Sequence, residues 1–123
     1  MKYMTDRKRA QGLGSARGGT QHHWHMMVSS IALVIVLPVF IITFGIGLGG
    51  SHEEVMAYYS RPFPALVMAI TLLVVVNHTM NEAVEAVEDY VHGTAQKLAL
   101  VAVRCFAYLL ILVGLFAVAR LAL

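Results

Sequence analysis

Three long apolar stretches separated by two short polar breaks organise the chain. The first, Met26 to Leu48, carries no charge, which predicts a helix crossing a bilayer whose core takes about 20 apolar residues. Pro38 within it predicts a bend, and Gly45 with Gly47 would admit a neighbouring backbone at close range. Gly49 to Pro62 follows, with His52, Glu53, Glu54 and the pair Tyr58 and Tyr59, and reads as a short loop with an interfacial aromatic belt. Phe63 to Val76 is uncharged but only 14 residues long, too short to cross alone. Asn77 to Val91 holds no proline or glycine, so the second helix continues to about His92, with Gly93 as its stop signal and Thr94 as the next cap. Leu98 to Leu123 is interrupted only by Arg104 and Arg120. The expectation is an all-α membrane protein with helices at about 26–48, 63–92 and 95–121. They form one domain, 22–123, behind a basic, glycine-rich tail, 1–21, that reads as mostly flexible.

Composition narrows the function. The chain has 123 residues, of which 59% are hydrophobic and 13% charged, about half the charge of an ordinary soluble domain. That length is used up by three crossings, so any large catalytic apparatus belongs to another polypeptide. The first hydrophobic stretch is too long for a signal-peptide core and lacks a small-residue cleavage site, so it is expected to stay in the mature protein. Lys2, Arg7, Lys8, Arg9, Arg17 and Lys97 fall on one side of the membrane and Arg61 and Arg120 on the other, which places the amino terminus in the cytoplasm. Beside a membrane span the basic head reads as contact with anionic lipid. Nucleic-acid binding is not expected, because no aromatic platform accompanies the charge. The single Cys105 lies inside the last apolar run and reads as a packing residue.

The chemistry concentrates on the second helix. His78, Glu82, Glu85, Asp89 and His92 recur at steps of four, three, four and three, which sets all five on one helical face. A charge at the bilayer centre costs about 2.5–3.5 kcal/mol, so this face should meet a cofactor, a polar cleft or a partner subunit rather than acyl chains. Glu88, Asp89 and His92 also suit a solvated extension of the helix. His78 does not, since it lies about 21 Å along the axis from His92 and about 24 Å from Pro62, near mid-membrane. An imidazole at that depth either bonds a neighbouring helix or takes an axial position on a b-type haem. A dimetal site is disfavoured because the Glu-x-x-His spacing of carboxylate-bridged bundles is absent. His22, His23, His25 and His92 lie near the cytoplasmic edge and His52 in the opposite loop, so a bis-histidine haem would need a ligand from another chain. Arg104 should fall level with Glu82 in a hairpin of the second and third helices. It would pair with Glu82, meet a haem propionate, or snorkel to the surface.

The run His78 to Gly93, HTMNEAVEAVEDYVHG, resembles the haem and quinone segment of the small hydrophobic anchor of succinate dehydrogenase, respiratory complex II. A membrane histidine followed eleven residues later by Asp-Tyr, in an Asp-Tyr-Val-His setting, is reproduced by His78, Asp89, Tyr90, Val91 and His92. The resemblance extends to Gly12–Arg17, to the histidines flanking Trp24, to Arg61-Pro62-Phe63 and to the three-helix layout. It implies that His78 is an axial ligand of haem b, and so of the haem iron, in a bundle shared with a second, larger anchor protein that brings the other ligand. It also implies that Tyr90 donates to a ubiquinone carbonyl oxygen with Asp89 beside it. Two peripheral subunits, a flavoprotein and an iron–sulfur protein, would complete the complex. The location implied is the inner (cytoplasmic) membrane of a bacterium. Met27 departs from the family pattern where an arginine is common, and Glu82 departs where a small residue is common. Two other functions stay open: a haem-free structural anchor as in some fumarate reductases, and an intramembrane proton or cation relay.

Overall fold

The computed structural model describes residues 5–12 and 19–123. Among them there are five helices and no strand: α1 (Asp6–Gln11), α2 (Gly19–Ile46), α3 (His52–Tyr59), α4 (Pro62–Tyr90) and α5 (Gly93–Ala122). Apart from Gly12, the Gly12–Arg17 run lies outside the described residues. With 28, 29 and 30 residues, α2, α4 and α5 are each over 40 Å long at about 1.5 Å per residue, enough to span a core of about 30 Å. The three membrane helices expected from the sequence are present.

Three boundaries differ from expectation, each for a local reason. α2 starts at Gly19 rather than near Met26. Hydrophobicity alone sets the expected boundary, whereas nothing from Thr20 to His25 breaks a helix, and His22 gains a partner on α4 that holds this first turn. Within the 1–21 tail, Asp6–Gln11 is also helical, capped by Thr5, whose hydroxyl accepts from the Lys8 amide at 3.2 Å. Finally, the 49–62 connection contains α3. Ser51 and Glu54 close a reciprocal capping box, and the Ser51 amide bonding the Glu54 carboxylate holds its pKa below the usual value.

The α3 tyrosines do more than sit at an interface. The Tyr58 hydroxyl donates to the Thr43 carbonyl at 3.0 Å and the Tyr59 hydroxyl to the Phe44 carbonyl at 3.1 Å. Both acceptors lie in the last turn of α2, where backbone oxygens lack intrahelical donors. Tyr59 is among the few buried residues, and that burial raises its phenol pKa. Gly47 makes room for it, since a Cβ there would come within 2.5 Å of the Tyr59 hydroxyl. Gly47→Val should therefore destabilise the protein by about 1–3 kcal/mol, read as a lower thermal midpoint in detergent. Gly45→Val, with nothing within 4 Å of the added carbon, should leave the midpoint unchanged.

α4 is the central helix. It packs against both α2 and α5, and among the described residues the backbones of α2 and α5 do not approach each other closely, although side chains of both line grooves over α4. The α4–α5 connection is only Val91 and His92, and Gly93 opens α5 at φ +72°. His92 rather than Thr94 is the N-cap, and Gln96 Nε2 donates to the Glu88 carbonyl at 3.2 Å, satisfying an oxygen in the last turn of α4. A layer of three helices leaves most apolar side chains exposed; the buried hydrophobics are Tyr59, Val84 and Ala107. Such a surface suits lipid and further helices.

Candidate functional site

The site is built where α2 crosses the polar face of α4. Ser29 faces His78 and His22 faces Glu85, so the partners are seven residues apart on each helix and the antiparallel register is constant over that length. His22 Nε2 lies 2.5 Å from Glu85 Oε1, with both side chains a little under half exposed. His78 lies deeper, with its side chain 17% exposed. Its Nδ1 is 2.8 Å from the Ser29 hydroxyl, and its Nε2 is 3.6 Å from a carboxylate oxygen of Glu82, which is itself 57% exposed.

The Ser29 contact carries information about the ring. The hydroxyl has one proton, and it also lies 2.9 Å from the Met26 carbonyl, which can only accept. Both contacts are hydrogen bonds together only if Ser29 donates to Met26 and accepts from His78 Nδ1–H. The opposite tautomer would set the Nδ1 and hydroxyl lone pairs face to face. A ring with its Nδ1 occupied this way presents a free Nε2 lone pair, the form in which an imidazole binds a metal. The separation from Glu82 exceeds a hydrogen bond, so that carboxylate does not claim Nε2 as a neutral partner.

The remaining expected residues are distributed around this pair. Asp89 and Tyr90 end α4; both are exposed, Tyr90 to 85%. Gly114 packs against Leu72, and carrying that register ten residues along each helix sets Arg104 level with Glu82, as expected. Arg104 nevertheless sits exposed on α5, and the side chains nearest to the Glu82 and Glu85 carboxylates are His78 and His22. His25 lines a groove of about 650 Å³ beside His22, Ser29, Asn77 and Asn81. His92 caps α5 and His52 opens α3 at the far end, so neither shares the depth of His78. Ser29, the His22–Glu85 pair and the two asparagines escape a reading of the sequence alone. The signals available for them are Ser29 and Ser30 inside an otherwise apolar run, and amides following Val76.

Comparison with known proteins places the chain in a family. Residues 1–119 match the family described as succinate dehydrogenase/fumarate reductase transmembrane subunit. The chain belongs to this family. Like other succinate dehydrogenase/fumarate reductase transmembrane subunits, it is an all-helical membrane component of a larger complex. It is also 41% identical to the succinate dehydrogenase hydrophobic membrane anchor subunit of Paracoccus denitrificans, over 100% of this chain and 95% of that protein. No solved structure matches it.

A succinate dehydrogenase/fumarate reductase transmembrane subunit raises the question of haem. The donor set suits one axial position of a b-type haem: a largely enclosed imidazole, its Nδ1 tied to Ser29 and its Nε2 without a hydrogen-bond partner. His22, the nearest histidine with a mapped counterpart on α4, is seven residues away from the level of Ser29, about 10 Å along the axis. Among the described residues, no other histidine is level with Ser29 and His78.

Proposed function

We propose that the chain is a membrane anchor of succinate:ubiquinone oxidoreductase in a bacterial inner membrane, with its amino terminus in the cytoplasm. It would pair with a second, larger anchor protein and hold two peripheral subunits, an iron–sulfur protein and a flavoprotein, at the membrane surface. The observation that carries this reading is the Ser29-held imidazole of His78 in a chain that matches the family over residues 1–119. Bound there, haem b supplies a one-electron site within the membrane. His78 would hold the haem iron through its Nε2, and α2 and α4 would keep that nitrogen from water.

Asp89 and Tyr90, one to two turns beyond Glu85 on α4, form this chain's share of the quinone wall. A quinone gains negative charge on its oxygens as it is reduced, and the Tyr90 phenol stabilises that charge by donating a hydrogen bond. Its 85% exposure in the single chain leaves the phenol free to face the other subunits and the quinone between them. Tyr90→Phe should slow succinate-driven ubiquinone reduction by about 10²-fold or more, in the range of one lost oxyanion donor. Reduction of an artificial acceptor by the peripheral subunits should keep the parental rate. Equal ubiquinone rates in mutant and parent would remove Tyr90 from the site.

The partner's position is suggested by the amides. Asn77 and Asn81 are one turn apart and lie on the side of α4 that borders a groove shared with α2 and with Ile111 of α5. Acyl chains cannot meet their hydrogen-bonding capacity, so this side is where the larger anchor protein packs. The reading as a whole is tested by purifying the complex through a tag on this chain. Succinate-oxidising flavoprotein and iron–sulfur subunits should accompany it, and recovery without them would contradict it.

A further inference from the structure

We propose that Ser29 is a positioning residue for the axial imidazole, fixing the tautomer of His78 and setting how strongly its Nε2 donates to iron. The inference rests on the reading of His78 as the haem ligand and adds a residue that the family resemblance did not supply. Its basis is the pair of contacts at one hydroxyl: 2.9 Å to the Met26 carbonyl, which takes the only proton, and 2.8 Å to His78 Nδ1, which must then be the donor. The first contact also pins the serine rotamer to its own helix, so the acceptor lone pair is aimed before the ring arrives.

An Nδ1–H that donates to a fixed acceptor makes the opposite nitrogen a stronger σ-donor. A stronger donor favours ferric over ferrous iron, so Ser29 holds the midpoint potential of the haem below the value the same imidazole would give without it. The hydroxyl also restricts rotation of the ring about its Cβ–Cγ bond, which sets the plane in which the imidazole meets the iron. Ser30 provides a control within the same turn. Its hydroxyl makes an equivalent bond to the same Met26 carbonyl, at 2.8 Å, yet it is exposed and has no part in the His78 contact.

The test is a redox titration of the haem in the purified complex, together with the low-temperature electron paramagnetic resonance spectrum of its ferric state. Ser29→Ala should move the midpoint potential to a more positive value and shift the largest g-value of the low-spin signal. Ser30→Ala should leave both at the parental values. Ser29→Thr, which keeps an oxygen able to bond a carbonyl in the preceding turn, should restore them. If Ser29→Ala binds haem with unchanged potential and g-values, the inference is wrong while the ligand reading stands. If Ser29→Ala loses haem, retention by Ser29→Thr supports the inference, and loss in both overturns it. Haem retained with a parental spectrum in His78→Ala would instead remove the reading on which the inference depends.

Discussion

Replacing His78 with alanine should abolish the b-type haem signal expected of the complex while the peripheral subunits remain attached. The expectation follows from what the substitution removes. Among the described residues the imidazole is the one histidine at its depth; on α2, His25 and His22 lie about 6 and 10 Å along the axis from the level of Ser29, and His22 is engaged with Glu85. Alanine leaves a space that no neighbouring nitrogen fills. The ring gives α4 one of its hydrogen bonds to α2, while His22 with Glu85 and the apolar residues of α2, α4 and α5 remain, so the fold should survive. Haem content per complex, read from the pyridine haemochrome, should fall to the background of the preparation. His22→Ala and His25→Ala should retain haem, because neither residue shares the level of His78. A His78→Ala complex with parental haem content would mean that the ring serves only as a hydrogen-bond partner for Ser29.

The second large effect is expected at Gly114, at the contact between α4 and α5. A Cβ at this position would overlap the Leu72 side chain, with a second Leu72 methyl carbon at 3.0 Å. Close approach through a small residue is how membrane helices gain packing energy, since lipid supplies no hydrophobic drive between them. Gly114→Leu adds four carbons to a contact with no room for one and should destabilise the pair by about 3 kcal/mol, the upper range for overpacking. Loss of assembled complex from the membrane, measured by quantitative immunoblot against total chain, should accompany a lower thermal midpoint. Leu72→Ala in the same chain removes the colliding methyl groups, so the double variant should recover part of the yield. No recovery would mean that the damage arises elsewhere on α5.

Much of the fold is legible in the sequence because a bilayer imposes a simple rule: backbone groups must bond within the segment, and apolar runs of sufficient length become helices. Met26–Leu48, Phe63–His92 and Ala95–Leu121 each contain most of a real helix. What the rule does not mark is where a helix continues beyond the lipid. α2 extends back to Gly19 through His22, His23 and His25, and α3 forms from a capping box inside a short polar segment. Hydrophobicity is blind to both, whereas the Ser51-x-x-Glu54 spacing is available as a helix-start signal.

The site divides along a different line. Periodicity alone sets His78, Glu82, Glu85 and Asp89 on one face, and helical rise alone sets His78 at mid-depth, so the candidate ligand is legible without a fold. Partners across helices cannot be read that way. The pairing of Ser29 with His78 and of His22 with Glu85 depends on the register of α2 against α4, which is fixed by side-chain packing and not by either sequence pattern. Arg104 illustrates the limit. Counting from the hairpin places it correctly level with Glu82, yet the direction it faces depends on how α5 is rotated against α4, and there it is exposed.

The most direct measurement is the reduced-minus-oxidised absorption spectrum of the intact complex, purified through this chain and reduced first with succinate and then with dithionite. A low-spin b-type spectrum, in amounts matching one haem for each copy of the chain and absent from the His78→Ala complex, is the predicted result. A preparation that oxidises succinate yet shows no absorbance in the Soret region would contradict it, leaving the His78 imidazole without the metal for which its free nitrogen is suited.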